Sequence, residues 1–306
     1  MKRLKFFLKS LAAIGCVLMT WGCEETIYPT LQQASPVIVV DAWINDLPVT
    51  QTIVLTWSQP YFESVVPPAV SGALVSVVDS HGKVFAFTEN DSKPGHYEWT
   101  PTAFDELTKN VGYKLIISTS TEVFDASSYM GRVPPIDSIT FEKDTQPATG
   151  NEITRAEFWA TDPVGIGDAY WIRTYKNGVP LLKPSEINMA FDAGMSIGGQ
   201  TDGVTFIAPV RRRINSNDQD EDGVLISPIQ AGDSVHVQIH SVTAAGFTFL
   251  NELSIQTNRP GGFQELFSTP LANVSTNVVN RNPSGTRAVG FFNVSAVSSS
   301  GKRYTP

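Results

Sequence analysis

The chain has 306 residues, 42% hydrophobic and 17% charged, which is enough apolar surface for packed cores and too little charge for a disordered chain. Its formal net charge of −8 argues against nucleic acid as a partner, and two cysteines exclude both a disulfide framework and a thiolate zinc site. The length suggests two domains, and 23 Gly with 20 Pro suggest a turn-rich body of strands.

Residues 1–22 read as a secretory signal. Lys2, Arg3, Lys5 and Lys9 form a cationic start, and an uncharged, mostly apolar run from Leu11 to Gly22 follows, too short to span a bilayer as a helix. The run ends at Gly22-Cys23, after which Glu24, Glu25 and Thr26 turn the chain polar. This order resembles a bacterial lipoprotein signal, which implies acylation of Cys23 and attachment to a membrane through that N-terminal lipid. Cys16 is an alternative cleavage point, but cutting there would leave Val17, Leu18, Met19 and Trp21 exposed beside the lipid. Cleavage before Cys23 removes four cations and no acid, taking the net charge from −8 to −12. The pair Glu24-Glu25 is similar to the acidic export signal of Bacteroidetes lipoproteins, which implies the outer membrane, facing the cell exterior. Residues 23–35 then make a polar tether.

From Pro36 the chain alternates. Val37 to Ile44 is β-branched, and Val49, Gln51, Ile53, Leu55 and Trp57 alternate with polar or small residues, the period of a half-buried strand. Further strands are predicted over 73–78, 84–88, 95–99, 113–117 and 123–124, with Gly82 supplying the positive φ of a hairpin turn. Seven short strands predict an immunoglobulin-like β-sandwich over 36–134, closed by Pro134-Pro135, two residues that cannot continue a ladder. A larger β-rich, sandwich-like domain is predicted over 135–306, so the fold class is all-β. Its strands are expected at 156–160, 170–175 with a turn at Asn177-Gly178, 204–210, 224–226, 235–239, 278–279 and 287–294. One helix is expected from Thr243 to Gln256, capped by Thr243, with Phe247, Leu250 and Leu253 on one face and a stop at Asn258-Arg259-Pro260-Gly261.

Segments spread along the whole chain resemble one family, the Bacteroidetes lipoproteins grouped as domain-of-unknown-function family 4249. They include Val39-Val40-Asp41-Ala42-Trp43-Ile44, Pro94-Gly95-His96-Tyr97, Val133-Pro134-Pro135-Ile136-Asp137-Ser138, Asp168-Ala169-Tyr170-Trp171 and Gly290-Phe291-Phe292. The resemblance implies a non-enzymatic accessory or ligand-binding subunit beside a TonB-dependent outer-membrane receptor, and supplies no catalytic motif. A structural or adhesive surface module is the alternative. A hydrolase would need converging carboxylates that no spacing here marks.

Among local motifs, Asp218, Asp220 and Asp222 alternate before Gly223, as in the first half of a calcium loop, but Ile229 stands where the bidentate glutamate belongs. Calcium is the one cofactor this suggests, against an exposed acidic turn that serves solubility. His236 and His240 lie four apart on a strand, roughly 13 Å, too far for two bonds of about 2.1 Å to one ion. They read as a polar strand face. Arg211-Arg212-Arg213 reads as a solvated or salt-bridged strand end. Tyr61, Phe62 and Phe263 sit in loops, where an aromatic ring can meet a sugar or a partner. Asp137-Ser138-Ile139 and Asp233-Ser234-Val235 resemble short O-glycosylation sites of Bacteroidetes, which makes Ser138 and Ser234 candidate acceptors.

Overall fold

Inward-facing aliphatic residues at every second position organise the first half of the chain into strands. The computed structural model describes residues 35–60, 63, 65–102, 106–215, 219–220, 222–259, 261–270 and 272–306, without the side chains of 263, 264 and 266. The seven expected N-terminal strands all form: β1 (Ile38–Asn45), β2 (Gln51–Trp57), β3 (Leu74–Asp79), β4 (Val84–Asn90), β5 (Lys93–Trp99), β6 (Val111–Ser118) and β7 (Val123–Met130). On β1, Ile38, Val40, Ala42 and Ile44 are buried while Val39, Asp41 and Trp43 face the other way. The β3–β4 turn is tied by Asp79, whose Oδ1 accepts from the His81 and Lys83 amides at 2.8 Å each, with Gly82 at φ 88°.

The remaining strands are β8 (Ser138–Thr145), β9 (Glu152–Trp159), β10 (Ala169–Lys176), β11 (Val179–Pro180), β12 (Asn188–Phe191), β13 (Ser234–Val242), β14 (Val278–Asn280), β15 (Ala288–Ser295) and β16 (Val297–Arg303). Among the described residues, nine strands form one sheet in the order β14-β7-β6-β3-β4-β5-β2-β1-β15. Its pairs are antiparallel except β1 with β15, where Val40 lies opposite Gly290 and Ala42 opposite Phe292. The sheet curls until its two ends meet. Asn277 Nδ2 donates to the carbonyls of Ser127 (3.1 Å) and Phe292 (2.8 Å), and the Val294 amide donates to Ser128 Oγ at 3.0 Å. Inside are Phe85, Tyr97, Leu115, Phe292 and their aliphatic neighbours, each contributing roughly 1.5–3 kcal/mol by burial.

A second sheet runs β11-β10-β13-β16, with β12 also on β10, and β8 pairs with β9 as a hairpin. One face of this sheet, with Tyr170, Ile172, Val237 and Ile239, packs on Phe158, Phe206 and Tyr304. Two helices follow from local signals. In α1 (Ala208–Arg211) a proline occupies the first turn. In α2 (Ala244–Thr257) Thr243 Oγ1 accepts from the Gly246 amide at 3.0 Å, Asn258 ends the helix, and Phe247 and Leu250 are buried. No helix among the described residues is long and apolar enough to cross a membrane.

The all-β class holds, but three expectations change. The chain from Pro36 to Pro306 forms one compact unit, because β14 and β15 return to the first sheet and β15 runs straight on towards β16 in the second. The division at 134/135 therefore does not separate two self-contained bodies, and Val133 packs against both of their cores. The expected strand at 204–210 gives only a bridge from Thr205 to Thr161, since Pro209 starts a helix. That expected at 224–226 gives only a bridge from Leu225 to Gln219.

Candidate functional site

The outward side chains of β1 meet those of the second sheet at a small hydrophobic cluster, in which Trp43 and Trp171 pack against Phe247, Phe249, Leu250 and Phe291. Trp43 meets Trp171 edge-on at 5.2 Å between ring centroids and stacks on Phe291 at 5.6 Å, while Phe249 from α2 lies 4.9 Å from Phe291. Two residues along each strand, Asp41 and Arg173 take the places of the two tryptophans. The Arg173 guanidinium sits 4.9 Å from the Trp171 ring centre and 6.0 Å from that of Tyr175.

Neither charge is committed. Among the described residues Arg173 has no hydrogen bond or ion pair, although its Nε is shut off from water. Asp41 likewise has none, and its side chain is exposed. Protein crowds Asp41 enough that desolvation raises its pKa, while the field of Arg173 pulls it back down. The rest of the face is polar but neutral. Tyr175 donates its hydroxyl to Gln238 Oε1 at 2.9 Å, and His240 Nε2 lies 3.1 Å from the same oxygen. Burial, helped by the Arg173 cation, pushes His240 down to about 3, and burial alone lowers His236. At neutral pH His240 is therefore uncharged and donates to Gln238, with that amide oriented as described.

A second cluster lies on the loops that lead into β10 and out of β12. One carboxylate oxygen from each of Asp162, Asp192 and Asp202 falls within 4.8 Å of the others. Asp162 accepts the Tyr170 hydroxyl at 2.6 Å and the Gly203 amide at 3.1 Å, and Asp192 accepts the Gly167 amide at 2.8 Å. Asp202 accepts the Gly165 amide at 2.7 Å. Desolvation raises the Asp162 pKa against the lowering effect of those hydrogen bonds, with Asp168 and Asp192 adding to the rise. Three carboxylate oxygens suit a hard cation such as calcium, which would need further oxygens from carbonyls or water. All three groups already serve to fasten their loops. Arg132 does the same from the other side, bonding Asp168 at 2.9 Å and the Val164 and Gly165 carbonyls at 2.9 Å each.

The residues singled out by sequence fall elsewhere. Cys23, Glu24, Glu25, Tyr61, Phe62 and Asp218 lie outside the described residues, as does the side chain of Phe263. Asp220 Oδ1 accepts from the Asp222 amide (3.0 Å) and the Val224 amide (2.8 Å), so this carboxylate ties its own turn. Ser138 opens β8 and is exposed. Ser234 is half-buried, its amide bonded to Asn177 Oδ1 at 2.8 Å. Trp57, Pro60, Val65 and Pro68 line an open apolar trough of about 610 Å³. The basic run is partly internal: Arg211 bonds buried Glu157 and lies 4.3 Å from the Trp159 ring, and Arg212 reaches Glu157 at 3.2 Å. His236 and His240 share one strand face, as their spacing requires.

A tryptophan on a strand reads as core by default, and Trp43 and Trp171 do pack on a hydrophobic cluster; what sequence reasoning missed is Arg173 beside them. The available signal was the alternation Trp171, Arg173, Tyr175, which opposes the buried set Tyr170, Ile172, Thr174. The three aspartates share no spacing motif and meet only through tertiary structure.

The architecture and these side chains define a β-rich protein with a polar and aromatic face on its second sheet. Residues 24–300 match the family model described as a domain of unknown function (DUF4249), and the chain belongs to that family. No curated protein matches it.

Proposed function

We propose that this chain is a lipid-anchored protein of the bacterial outer membrane, facing the medium, that binds its ligand without transforming it and serves as an accessory subunit beside a TonB-dependent receptor. The observation that carries the binding role is Arg173, a half-buried guanidinium against the Trp171 and Tyr175 rings whose Nε is shut off from water and has no hydrogen-bond partner among the described residues. A buried polar group without a partner calls for a ligand or water. His240, held neutral and bonded to Gln238, gives no proton at neutral pH, which favours binding over acid–base chemistry. Anchoring rests on the order of cationic start, apolar run, Cys23 and Glu24-Glu25. The receptor partnership rests on the family resemblance.

The test is recovery of the native protein from detergent-solubilised membranes, paired with protease treatment of intact cells. The expected result is co-recovery of a TonB-dependent receptor and digestion of the protein from outside, both lost in Cys23→Ala. Repeated recovery of the protein alone, or full protection from protease, overturns the reading. An adhesive module is the second reading, favoured by Val164, Ile166 and Ile197, which stand 79%, 85% and 58% exposed on the loops around the aspartate cluster. Co-recovery of matrix components in place of a receptor would favour it.

A further inference from the structure

A cavity opens beside the second core, where the turn of the β8–β9 hairpin meets the loop that leads into β13. Its outer chamber is about 480 Å³, a size that takes a small organic molecule. An inner recess of about 70 Å³ adjoins it, and Gln146, Ile153, Thr154, Leu225 and Ile229 line both. The surrounding loop is tied down. Gln146 Nε2 donates to the Gly223 carbonyl at 3.0 Å, and Lys176 Nζ donates to the carbonyls of Ser227 (3.0 Å) and Pro228 (2.9 Å). A site fixed in this way loses little freedom when it binds.

Two polar side chains in the lining have unused bonding capacity. Thr154 is on the face of β9 that carries Ala156 and Phe158 into the core, and it is only 7% exposed. It is the first buried position after the hairpin turn, where the core gives way to the cavity. Among the described residues its hydroxyl has no hydrogen-bond partner. Asn215 lines the recess and is 5% exposed. Its Nδ2 is spent on the Ser227 carbonyl at 2.7 Å, which leaves Oδ1 on the other side of the amide without a partner. Buried polar groups in that state call for an answering hydrogen bond.

Charge narrows the ligand. Lys143 and Glu152 at the outer chamber pair with each other at 2.9 Å, and Arg155 at the recess pairs with Asp144. No charged side chain of the lining is left over to receive an ion, and taking an ion out of water unpaired is costly. Ile153, Val224, Leu225, Ile229 and Tyr304 give the outer chamber apolar walls. A hydrocarbon would leave Thr154 unanswered, and a sugar would set most of its hydroxyls against aliphatic carbon.

We infer that this cavity binds an uncharged alcohol, with the apolar body among Ile153, Leu225 and Ile229 and the hydroxyl on Thr154 where the two chambers meet. The inference goes beyond the reading of Arg173, which takes no part in the lining.

The test is ligand-observed NMR titration of the chain from residue 23 onward carrying Cys23→Ala, which has no lipid and needs no detergent. The probes are 2-phenylethanol, phenylacetate, phenethylamine and glucose. The first three share an apolar body and differ in the charge of the head, while glucose has hydroxyls without the body. 2-Phenylethanol should bind at least about tenfold tighter than each of the others. Thr154→Val keeps the shape, removes the hydroxyl and should weaken the alcohol about fivefold or more. Leu225→Trp fills the junction of the chambers from a half-buried loop position and should abolish binding. Circular dichroism should be unchanged in both variants. Silence of 2-phenylethanol, equal binding of phenylacetate, phenethylamine or glucose, or undiminished affinity in either variant overturns the inference. None of those outcomes bears on membrane anchoring or receptor recovery, so the two readings fail separately.

Discussion

Gly290 lies so close to Val40 that a Cβ added to it would come 2.0 Å from the Val40 carbonyl oxygen, at a φ of 97°. The contact is the reason the parallel pair β1–β15 can form: backbone meets backbone where any side chain would hold the strands apart. Gly290→Ala therefore strikes the strand that closes the first sheet, and the expected cost is about 3 kcal/mol or more, enough to threaten folding. Gly82→Ala is the control. It has a similar φ of 88° but open space around it, so about 1 kcal/mol is expected. Urea unfolding of the two variants against wild type reads the difference, and equal losses would show that the close approach is unimportant.

Helix α2 rests on a cap that can be removed alone. Thr243 Oγ1 accepts the Gly246 amide at 3.0 Å, and the Thr243 amide itself donates to Asn293 Oδ1 at 3.2 Å. Thr243→Ala removes the first bond and keeps the second, and should cost about 1 kcal/mol. Thr243→Ser should restore most of it. Thermal unfolding of both would check this, and an undiminished midpoint in the alanine variant would contradict it.

This helix was legible in the sequence because its cap, its apolar face and its stop are all local. The same holds for β1 to β7 and for the Asn177-Gly178 turn, where φ values of 52° and 77° match what that dipeptide adopts readily. What stayed hidden depends on non-local pairing. Nothing in Ala288–Ser295 announces that it will lie parallel to Ile38–Asn45, some 250 positions earlier; that contact is fixed by a whole intervening crossover. The aromatic cluster between the sheets inherits the same difficulty. Trp43 and Trp171 meet only after both sheets exist, and Arg173 looked like any strand residue facing solvent. The strand expected at 204–210 failed for a local reason that could have been read: Pro209 suits a helix start better than a strand interior.

The bond from Tyr170 to Asp162 links a core ring to the aspartate cluster. Both residues are buried, and the 2.6 Å hydrogen bond is the shorter of the two the carboxylate receives. Burial and the neighbouring carboxylate raise the tyrosine pKa far above its ordinary value, so the hydroxyl stays protonated and remains a donor. Tyr170→Phe keeps the ring against Phe206 and removes only that donor. The expected loss is about 1–3 kcal/mol, because a buried carboxylate oxygen is left without its partner. The loss should shrink in acid, where Asp162 protonates and no longer needs it. Its folded pKa is raised, so Asp162 takes up its proton earlier on acidification than an exposed aspartate would. Chemical denaturation of wild type and variant at neutral and mildly acidic pH gives both numbers. A difference that does not depend on pH would assign the loss to packing.

His240 makes the stability of the fold depend on pH directly. In the folded chain it stays neutral down to about 3, chiefly through burial and secondarily through the Arg173 cation. In the unfolded chain it takes a proton near its ordinary 6.5. Between those values the unfolded state binds more protons, so stability present above 6.5 is lost as the pH falls toward 3. The slope reaches up to about 1.4 kcal/mol per pH unit from this one side chain. Acidic groups elsewhere also titrate at the lower end, so the comparison is with His240→Gln, which keeps a donor for Gln238 and cannot be protonated. Urea midpoints measured from about pH 7 to about pH 4.5 should fall more steeply for wild type than for the variant. Parallel curves would mean that the ring is free to reach water and protonate in the folded state.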